Sequence, residues 1–195
     1  MKPILFNAQM VRAILDGRKT QTRRVVKPQP PVDAVPYYDR VLYWKTPQRG
    51  EGVPYAKPTY APGDILWVRE TWRWKTPSVL EETKYIYRAD IHPADETKQK
   101  WRPSIHMPKE AARIFLRVTD ARVERLWDIS SEDVYAEGTD SRLWAATRDA
   151  FRRIWDSTIK PSDINRYGWD ANPWVWVISF ERYYLADPEG GASDG

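Results

Sequence analysis

Four side chains of types that could act together in catalysis are Lys19, Thr22, Arg24 and Glu137. Lys19 lies in a run of arginines, and neighbouring like charges lower the pKa of a lysine, as does partial burial. A lysine with a lowered pKa can act as a base. Thr22 offers a hydroxyl that this base could activate as a nucleophile. Glu137 could pair with Lys19 or move protons, and Arg24 could hold an oxyanion or a phosphate.

The basic residues are concentrated near the start of the chain. Residues 1–27 hold seven basic residues against one acid, a net charge of +6, although the whole chain carries only +4. Such a concentration indicates an anionic partner such as RNA, single-stranded DNA or a nucleoside, and the alternative is a solvated charged face. From spacing alone, a basic segment with a threonine is more often a phosphate-binding patch than a catalytic centre. We assign Arg18, Arg23 and Arg24 to phosphate binding.

Aromatic residues are unusually abundant, with eleven tryptophans and eleven tyrosines among 195 residues. Most of them should pack in the core, because large aromatic side chains dominate core burial. Exposed ones could stack on unpaired bases, which is a common way of holding single-stranded nucleic acid. We name Trp72 and Trp101 as candidates for this stacking.

The elements that must position these residues can be predicted from local patterns. Residues 7–17 predict a short helix that Asn7 caps and Gly17 ends. The segment 18–26 suits an extended strand, in which Lys19, Gln21 and Arg23 face one way and Thr20, Thr22 and Arg24 the other. Ser130 should cap a further short helix that ends at Gly138, directly after Glu137.

The remaining pattern predicts an α+β fold, a small mixed β-barrel of about six strands flanked by three short helices. Residues 28–62 are proline-rich and read as an extended insertion with one short strand at 41–44. Further strands are predicted at 65–70, 85–89, 114–118, 121–127 and 174–183, with a tight turn at 119–120. A longer helix is expected over 141–157, and residues 186–195 should form a flexible acidic tail.

Several function classes are excluded by composition. The chain has no cysteine, which rules out disulfides and thiol catalysis, and its two histidines are few for a metal site or a Ser-His-Asp triad. The acids do not cluster at ligand spacing, so we expect no metal and no cofactor. No apolar run approaches the roughly 20 residues of a membrane span, and no secretory signal is visible. We therefore expect a cytoplasmic protein without a membrane partner.

Three segments resemble ASCH-domain proteins, which belong to the PUA-like superfamily of β-barrels. Residues 14–24, ILDGRKTQTRR, resemble the family signature ILxGxKTxTxR, and the likeness continues through 62–70, PGDILWVRE. Residues 129–138, ISSEDVYAEG, resemble the family segment (S/T)xEDAxxEG. Residues 101–108 and 169–177 resemble a longer phage and prophage branch. The resemblance implies a single ASCH domain over 1–185.

The family resemblance implies a role connected with RNA, and its members differ in activity. One bacterial branch is an amidohydrolase that removes the acetyl group from N4-acetylcytidine, and its catalytic residues correspond to Lys19, Thr22 and Glu137. Other members are ribonucleases, for which Lys19 or His106 could serve as the base, and wider relatives bind modified bases. A non-catalytic nucleic-acid-binding module is therefore an alternative to the hydrolase. A buried Arg69 could also claim Glu137 as its partner and make that carboxylate structural.

Overall fold

The computed structural model of this protein shows an α+β architecture, which confirms the predicted fold class. It describes residues 1–30, 35–39, 41–45, 53–56, 58–75, 84–92, 94–95, 100–139 and 144–185. The strands are β1 Lys2–Leu5, β2 Gln21–Val25, β3 Val35–Asp39, β4 Val41–Lys45, β5 Val53–Ala56, β6 Ile65–Arg69, β7 Trp72–Trp74, β8 Tyr85–Tyr87, β9 Phe115–Arg125 and β10 Trp174–Tyr183. The α-helices are α1 Ala8–Leu15, α2 Ser131–Ala136, α3 Trp144–Thr158 and α4 Ile164–Tyr167.

The largest sheet is mixed and has the strand order β1-β6-β9-β10-β2, so β1 and β2 are its terminal strands. It is mixed because β1 runs parallel to β6, whereas β9 runs antiparallel to β6 and β2 antiparallel to β10. β1 lay outside the predicted strands and contains Pro3, which a terminal strand tolerates because one of its edges carries no ladder. The closed barrel remains a prediction.

Contacts divide the chain into two units, of which the first comprises Met1–Arg12, Gly63–Val118 and Phe180–Gly195. Here β1 pairs with β6 from Lys2↔Leu66 onward, and β6 pairs with the beginning of β9. β7 and β8 form a separate two-stranded sheet. Its Trp72 is buried against Met107 and Ala111.

The second unit comprises Ala13–Pro62 and Thr119–Ser179. β2 pairs antiparallel with β10, from Gln21↔Ser179 to Val25↔Val175. The helices α2 and α3 lie against each other. Their shared core consists of large apolar side chains: Leu126, Ile129, Val134, Phe151, Trp155, Trp169, Val175 and Val177.

The ends of the first two helices follow their local chemistry. The Asn7 side chain accepts a hydrogen bond from the Met10 N–H at 2.8 Å, which confirms it as the cap of α1. Gly17, just beyond that helix, has φ +74°, a conformation that glycine adopts without a steric penalty. Ser130 caps α2 by accepting from the Asp133 N–H at 3.1 Å, and the Asp133 carboxylate accepts in return from the Ser130 N–H. Both predicted caps are therefore confirmed.

The predicted turn at residues 119–120 is wrong, because β9 runs without a break from Phe115 to Arg125. Leu116 and Val118 are buried before this point and Val123 after it, so the buried positions change from even to odd numbers. The polar residues Thr119 and Asp120 mark that change of phase. They interrupt the apolar alternation without ending the strand.

The segment at 28–62 has regular structure where it is described. The strands β3, β4 and β5 form a three-stranded antiparallel sheet, and β4 confirms the short strand expected at 41–44. The predicted helix over 141–157 corresponds to α3, while the expected tail at 186–195 lies outside the described residues. The boundaries of a single domain over 1–185 stay a prediction. None of the helices in the described ranges combines the length and the apolar character that a membrane crossing requires.

Candidate functional site

The main chain brings Lys19 and Glu137 together within the second unit. The Lys19 N–H donates to the Ala13 carbonyl at 2.9 Å, so the chain folds back after α1. Lys19 then forms an isolated antiparallel bridge with Glu137. Next to it, the Thr20 N–H donates to the Ala136 carbonyl at 2.9 Å. Main-chain hydrogen bonding therefore fixes the distance between the backbones of Lys19 and Glu137, independently of the contact between their side chains.

Gly138 permits this close approach. Its φ is +92°, and a Cβ at this position would lie 2.8 Å from the Ala13 Cβ and 3.1 Å from the Lys19 Cβ. Both distances are shorter than ordinary carbon contacts, and the positive φ also disfavours any other residue. The glycine after Glu137 is therefore required by the packing of Lys19 as well as by the end of α2.

The Lys19 ammonium is fully enclosed and makes three hydrogen bonds. Its side chain has 0% exposure. Nζ donates to the Gln21 carbonyl at 2.8 Å, to the Glu137 carbonyl at 2.9 Å and to Glu137 Oε2 at 2.8 Å. These three acceptors match the three donors of an ammonium group. Lys19 is thus held in one position by both the main chain and the side chain of Glu137.

Burial lowers the pKa of Lys19 from its usual value. Removal from water disfavours the charged ammonium, and this effect exceeds the opposing attraction of the Glu137 carboxylate. The positive charges of Arg24 and Arg23 lower the pKa further. The sequence analysis predicted a lowered pKa of Lys19 from like charges and burial, and burial is the larger of these two causes in the structure.

Arg23 occupies the centre of the same network, with 0% exposure of its side chain. Nη1 donates to Gln21 Oε1 at 2.7 Å and to Glu137 Oε1 at 3.2 Å. Nη2 donates to Asp133 Oδ2 at 2.9 Å and to Glu124 Oε2 at 3.2 Å. One buried guanidinium therefore joins three carboxylates that come from β9, α2 and the residue after α2.

The outer side of this network is closed by Arg122. It donates to Glu124 Oε1 at 2.5 Å and also lies 3.5 Å from Asp133 Oδ1. Burial alone would raise the pKa of Asp133, but the charge of Arg23, the Ser130 N–H and the charge of Arg122 together lower it. The lowered pKa favours the ionised carboxylate of Asp133 beside Arg23.

Thr22 lies in β2, paired with Ile178 of β10, and is 4% exposed. Alternation along the strand places its side chain on the face opposite to Gln21 and Arg23. Main-chain carbonyls lie in the plane of a sheet, so the Lys19 ammonium, bound to the Gln21 carbonyl, lies at the strand edge, one peptide from Thr22. The structure thus brings Lys19 and Glu137 into contact, and Thr22 follows Lys19 by three residues in the chain. The catalytic role of the three residues stays a prediction.

Arg24 and Arg18 are half-buried at the margin of this site. Burial lowers the pKa of Arg24, against the opposing influence of Tyr60 and Glu137, so its charge lies within electrostatic reach of that carboxylate. Arg18 donates to the Gly138 carbonyl at 3.0 Å and to Asp16 Oδ2 at 2.9 Å. Both arginines keep part of their surface in solvent and remain candidates for phosphate binding.

Several basic residues of the segment 1–27 are bound to other parts of the protein. Lys19 and Arg23 are buried, and Arg12 donates to the carbonyls of residues 88, 89 and 91. Lys2 pairs with Asp64 at 2.6 Å. These cations have partners because carboxylates and main-chain carbonyls that are distant in the chain fold against them, which the local count of charges could not show.

The two tryptophans chosen for stacking have different surroundings in the first unit. Trp72 was expected to be exposed, and this is wrong: it is 1% exposed, packed on Met107 and under the guanidinium of Arg102. A ring enclosed in this way offers no face to a base. Trp101 is half-buried, with the Arg73 guanidinium 5.8 Å from its ring centre. It stays a candidate for stacking.

Arg69 does not take Glu137 as its partner. Its side chain donates to the main-chain carbonyls of Ser104 and Ile105. Of the neighbours Arg69 and Glu70, it is Glu70 that is buried. Its two carboxylate oxygens accept from Arg113 at 2.9 and 3.1 Å. Glu137 is therefore available to Lys19 and Arg23, as described above.

Sequence reasoning missed three functional features of this site. Gln21 supplies a carbonyl to Lys19 and an amide oxygen to Arg23, Asp133 serves both α2 and Arg23, and Glu124 binds Arg23 from β9. Asp133 carried a usable signal, because it stands three residues after the cap Ser130, where a capping carboxylate is expected. Gln21 carried a local signal too, because strand alternation places it on the same face as Arg23. Only the contact of Arg23 with Glu124 depends on strands that are distant in the chain.

Comparison with known proteins finds solved structures that are similar to this chain at low sequence identity. No protein-family model and no curated protein matches the chain. A solved structure of a DUF984 protein from Enterococcus faecalis V583 is similar with a TM-score of 0.43 and 11% identity, covering 88% of this chain. This chain spans 65% of that protein, less than two thirds of its length. A solved ASCH domain from Lactobacillus crispatus JV V101 is similar with a TM-score of 0.40, 12% identity and coverage of 88% and 70%. The chain is thus similar to a solved domain of the family whose motifs it resembles, and a likeness of this degree carries no argument about function.

Proposed function

We propose that this protein is an ASCH-type module that binds RNA or a modified nucleoside and hydrolyses N4-acylated cytidine. The observation that carries the proposal is the Lys19–Glu137 pair, a fully buried amine of lowered pKa whose Nζ lies 2.8 Å from a carboxylate oxygen. Such perturbed pairs are characteristic of sites that move protons. The proposal includes closure of the mixed sheet into the small PUA-like barrel and membership of the phage and prophage branch.

The reaction uses Lys19 as the base and Thr22 as the nucleophile. Transfer of a proton from Lys19 to Glu137 leaves a neutral amine, which the lowered pKa of Lys19 favours. The Thr22 oxygen attacks the acyl carbonyl carbon, and its proton passes to the amine. The C–N bond then breaks, and N4 of cytidine leaves with the proton that Lys19 returns.

Water completes the cycle. It attacks the acyl-threonine ester and gives one proton to the Lys19 amine. The ester bond then breaks, the carboxylic acid leaves, and Lys19 returns the proton to the Thr22 oxygen, which regenerates the hydroxyl. The sum is one amide and one water consumed, and one carboxylic acid and one cytidine formed. Arg24, half-buried and within reach of Glu137, supplies positive charge for the oxyanion or for a substrate phosphate.

The test is a product assay on N4-acylated cytidines and single-stranded RNA with the wild type and three variants. Thr22→Val keeps the buried volume and removes the hydroxyl, Thr22→Ser keeps the hydroxyl, and Lys19→Met removes the amine. We expect hydrolysis by the wild type and Thr22→Ser and at least about a hundredfold loss in the other two. Full activity of folded Thr22→Val or Lys19→Met would refute the mechanism, and RNA cleavage would favour the ribonuclease.

A binding module without chemistry is the second candidate, and the position of Thr22 favours it. Its side chain lies on the strand face opposite to Gln21 and Arg23, and the three donors of Lys19 are already engaged inside the protein. This candidate predicts salt-sensitive binding of single-stranded RNA through Arg18 and Arg24, with the same affinity in wild type and Thr22→Val. Affinity that does not change between low and high salt would contradict it.

A further inference from the structure

We propose that Arg23 is a positioning residue that holds the Glu137 carboxylate in place for Lys19. The inference rests on the proposed function, because it concerns how the same proton-transfer pair is arranged. Arg23 occupies one oxygen of the carboxylate, Oε1, at 3.2 Å, and Lys19 occupies the other, Oε2, at 2.8 Å. Each oxygen thus has its own cation, and rotation of the carboxylate would break both contacts.

Arg23 is itself held from several sides, which a positioning residue requires. Its Nη1 also binds the Gln21 amide oxygen, and its Nη2 binds Asp133 and Glu124, while the side chain has 0% exposure. A guanidinium is planar, so contacts at both ends fix its orientation as well as its position. A surface arginine bound by a single carboxylate would not have this rigidity.

The family resemblance assigns no role to this position. In the signature ILxGxKTxTxR, Arg23 falls on the variable residue between the second threonine and the final arginine, which is Arg24. Its burial and its carboxylate partners also separate it from the phosphate-binding role expected from charge. The contacts alone therefore assign Arg23 to the support of Glu137.

The charge of Arg23 has a definite effect on Lys19. It repels the ammonium directly, and it shares the negative charge of Glu137 that would otherwise act on Lys19 alone. Both effects favour the neutral amine, so loss of Arg23 should raise the pKa of Lys19. The other charged groups around the pair come from β2, β9, α2 and the turn before β2: Arg24, Glu124, Arg122, Asp133 and Arg18.

The experiment measures the ionisation of Lys19 itself. The side-chain amine of Lys19 is titrated by NMR in the wild type, Arg23→Gln and Arg23→Lys, and the pH profile of N4-acetylcytidine hydrolysis is recorded for each. Arg23→Gln should move the Lys19 titration upward by about one pH unit, together with the acidic limb of the profile, where activity rises as Lys19 loses its proton. Arg23→Lys, which restores a positive charge, should return part of that shift.

A control and a second variant keep the proposal testable. Arg113→Gln removes a guanidinium from a different buried carboxylate, Glu70, and should leave the Lys19 titration unchanged. If Arg23→Gln does not fold, Arg23→Gln with Asp133→Asn removes one charge of each sign and is titrated in its place.

A folded Arg23→Gln variant with a Lys19 titration equal to that of the wild type would overturn the role of Arg23. So would a double variant whose Lys19 titration equals that of Asp133→Asn alone. A wild type that does not hydrolyse the substrate would instead refute the proposed function. The NMR titration would still decide the positioning role in that case, because it requires no turnover.

Discussion

Lys19 and Glu137 are joined twice, by a main-chain bridge and by an ion pair of 2.8 Å between Nζ and Oε2. The bridge sets the distance between the two backbones, and the enclosed side chains have little freedom to separate. The Glu137 carbonyl also accepts from Nζ at 2.9 Å, so the lysine is hydrogen-bonded to both the side chain and the main chain of its partner. The pair is therefore a fixed unit within its environment.

Replacing Lys19 and replacing Glu137 with uncharged residues should lower the free energy of unfolding by different amounts. In Lys19→Met the Glu137 carboxylate keeps Arg23 as a cation, whereas in Glu137→Gln the buried Lys19 ammonium loses its carboxylate. An unpaired buried charge costs about 3–5 kcal/mol, so Glu137→Gln should lower the free energy of unfolding by roughly that amount at neutral pH. Lys19→Met should cost less. Urea denaturation of both variants measures the difference, and a larger loss in Lys19→Met would contradict it.

Gly138 should tolerate substitution less well than Gly17. Both have positive φ, +92° and +74°, so alanine is strained at either position. At Gly138 the added Cβ would also meet Ala13 and Lys19, whereas nothing lies within 4 Å at Gly17. Gly17→Ala should therefore cost about 1 kcal/mol, and Gly138→Ala about 2 kcal/mol or more. Thermal unfolding compares the two, and equal losses would show that the contact with Lys19 relaxes freely.

Local chemistry explains the parts of this structure that the sequence predicted. The caps Asn7 and Ser130 act through hydrogen bonds to residues three positions away, so the relevant contacts lie within a short window of sequence. The strand alternation that grouped Gln21 with Arg23 is local as well, and the two side chains do meet at 2.7 Å. The residue types alone allow Lys19 to pair with Glu137, and the resembled family places both positions in one catalytic set.

Distant contacts explain the parts that could not be predicted. Arg23 stands in a basic run and reads as a surface residue, but it binds Glu124 and Asp133, which are 101 and 110 positions away. Trp72 reads as an exposed aromatic beside Arg73, but Met107 packs over it. Both residues are buried because helices and strands distant in the chain pack against them, and this cannot be predicted from the composition of neighbouring residues.

Asp133 should make the second unit sensitive to acid. Its folded pKa lies below the usual value of 3.8, so its contribution to stability is present above pH 3.8 and is lost as the pH falls through the folded pKa. Asp133→Asn removes this dependence. The difference in unfolding free energy between wild type and Asp133→Asn should therefore shrink as the pH falls below 3.8. Denaturation at a series of acidic pH values measures it, and a difference that grows towards low pH would contradict the assignment.

Glu70 in the first unit should show the opposite pH dependence. Burial raises its pKa above 4.5 and exceeds the opposing effect of Arg113, so the folded state binds more protons between pH 4.5 and the folded pKa. Wild type should therefore gain stability relative to Glu70→Gln as the pH falls through this window. Urea denaturation of both proteins between pH 7 and 4.5 measures the gain. A loss of relative stability over the same window would show that Arg113, and not burial, governs the ionisation of Glu70.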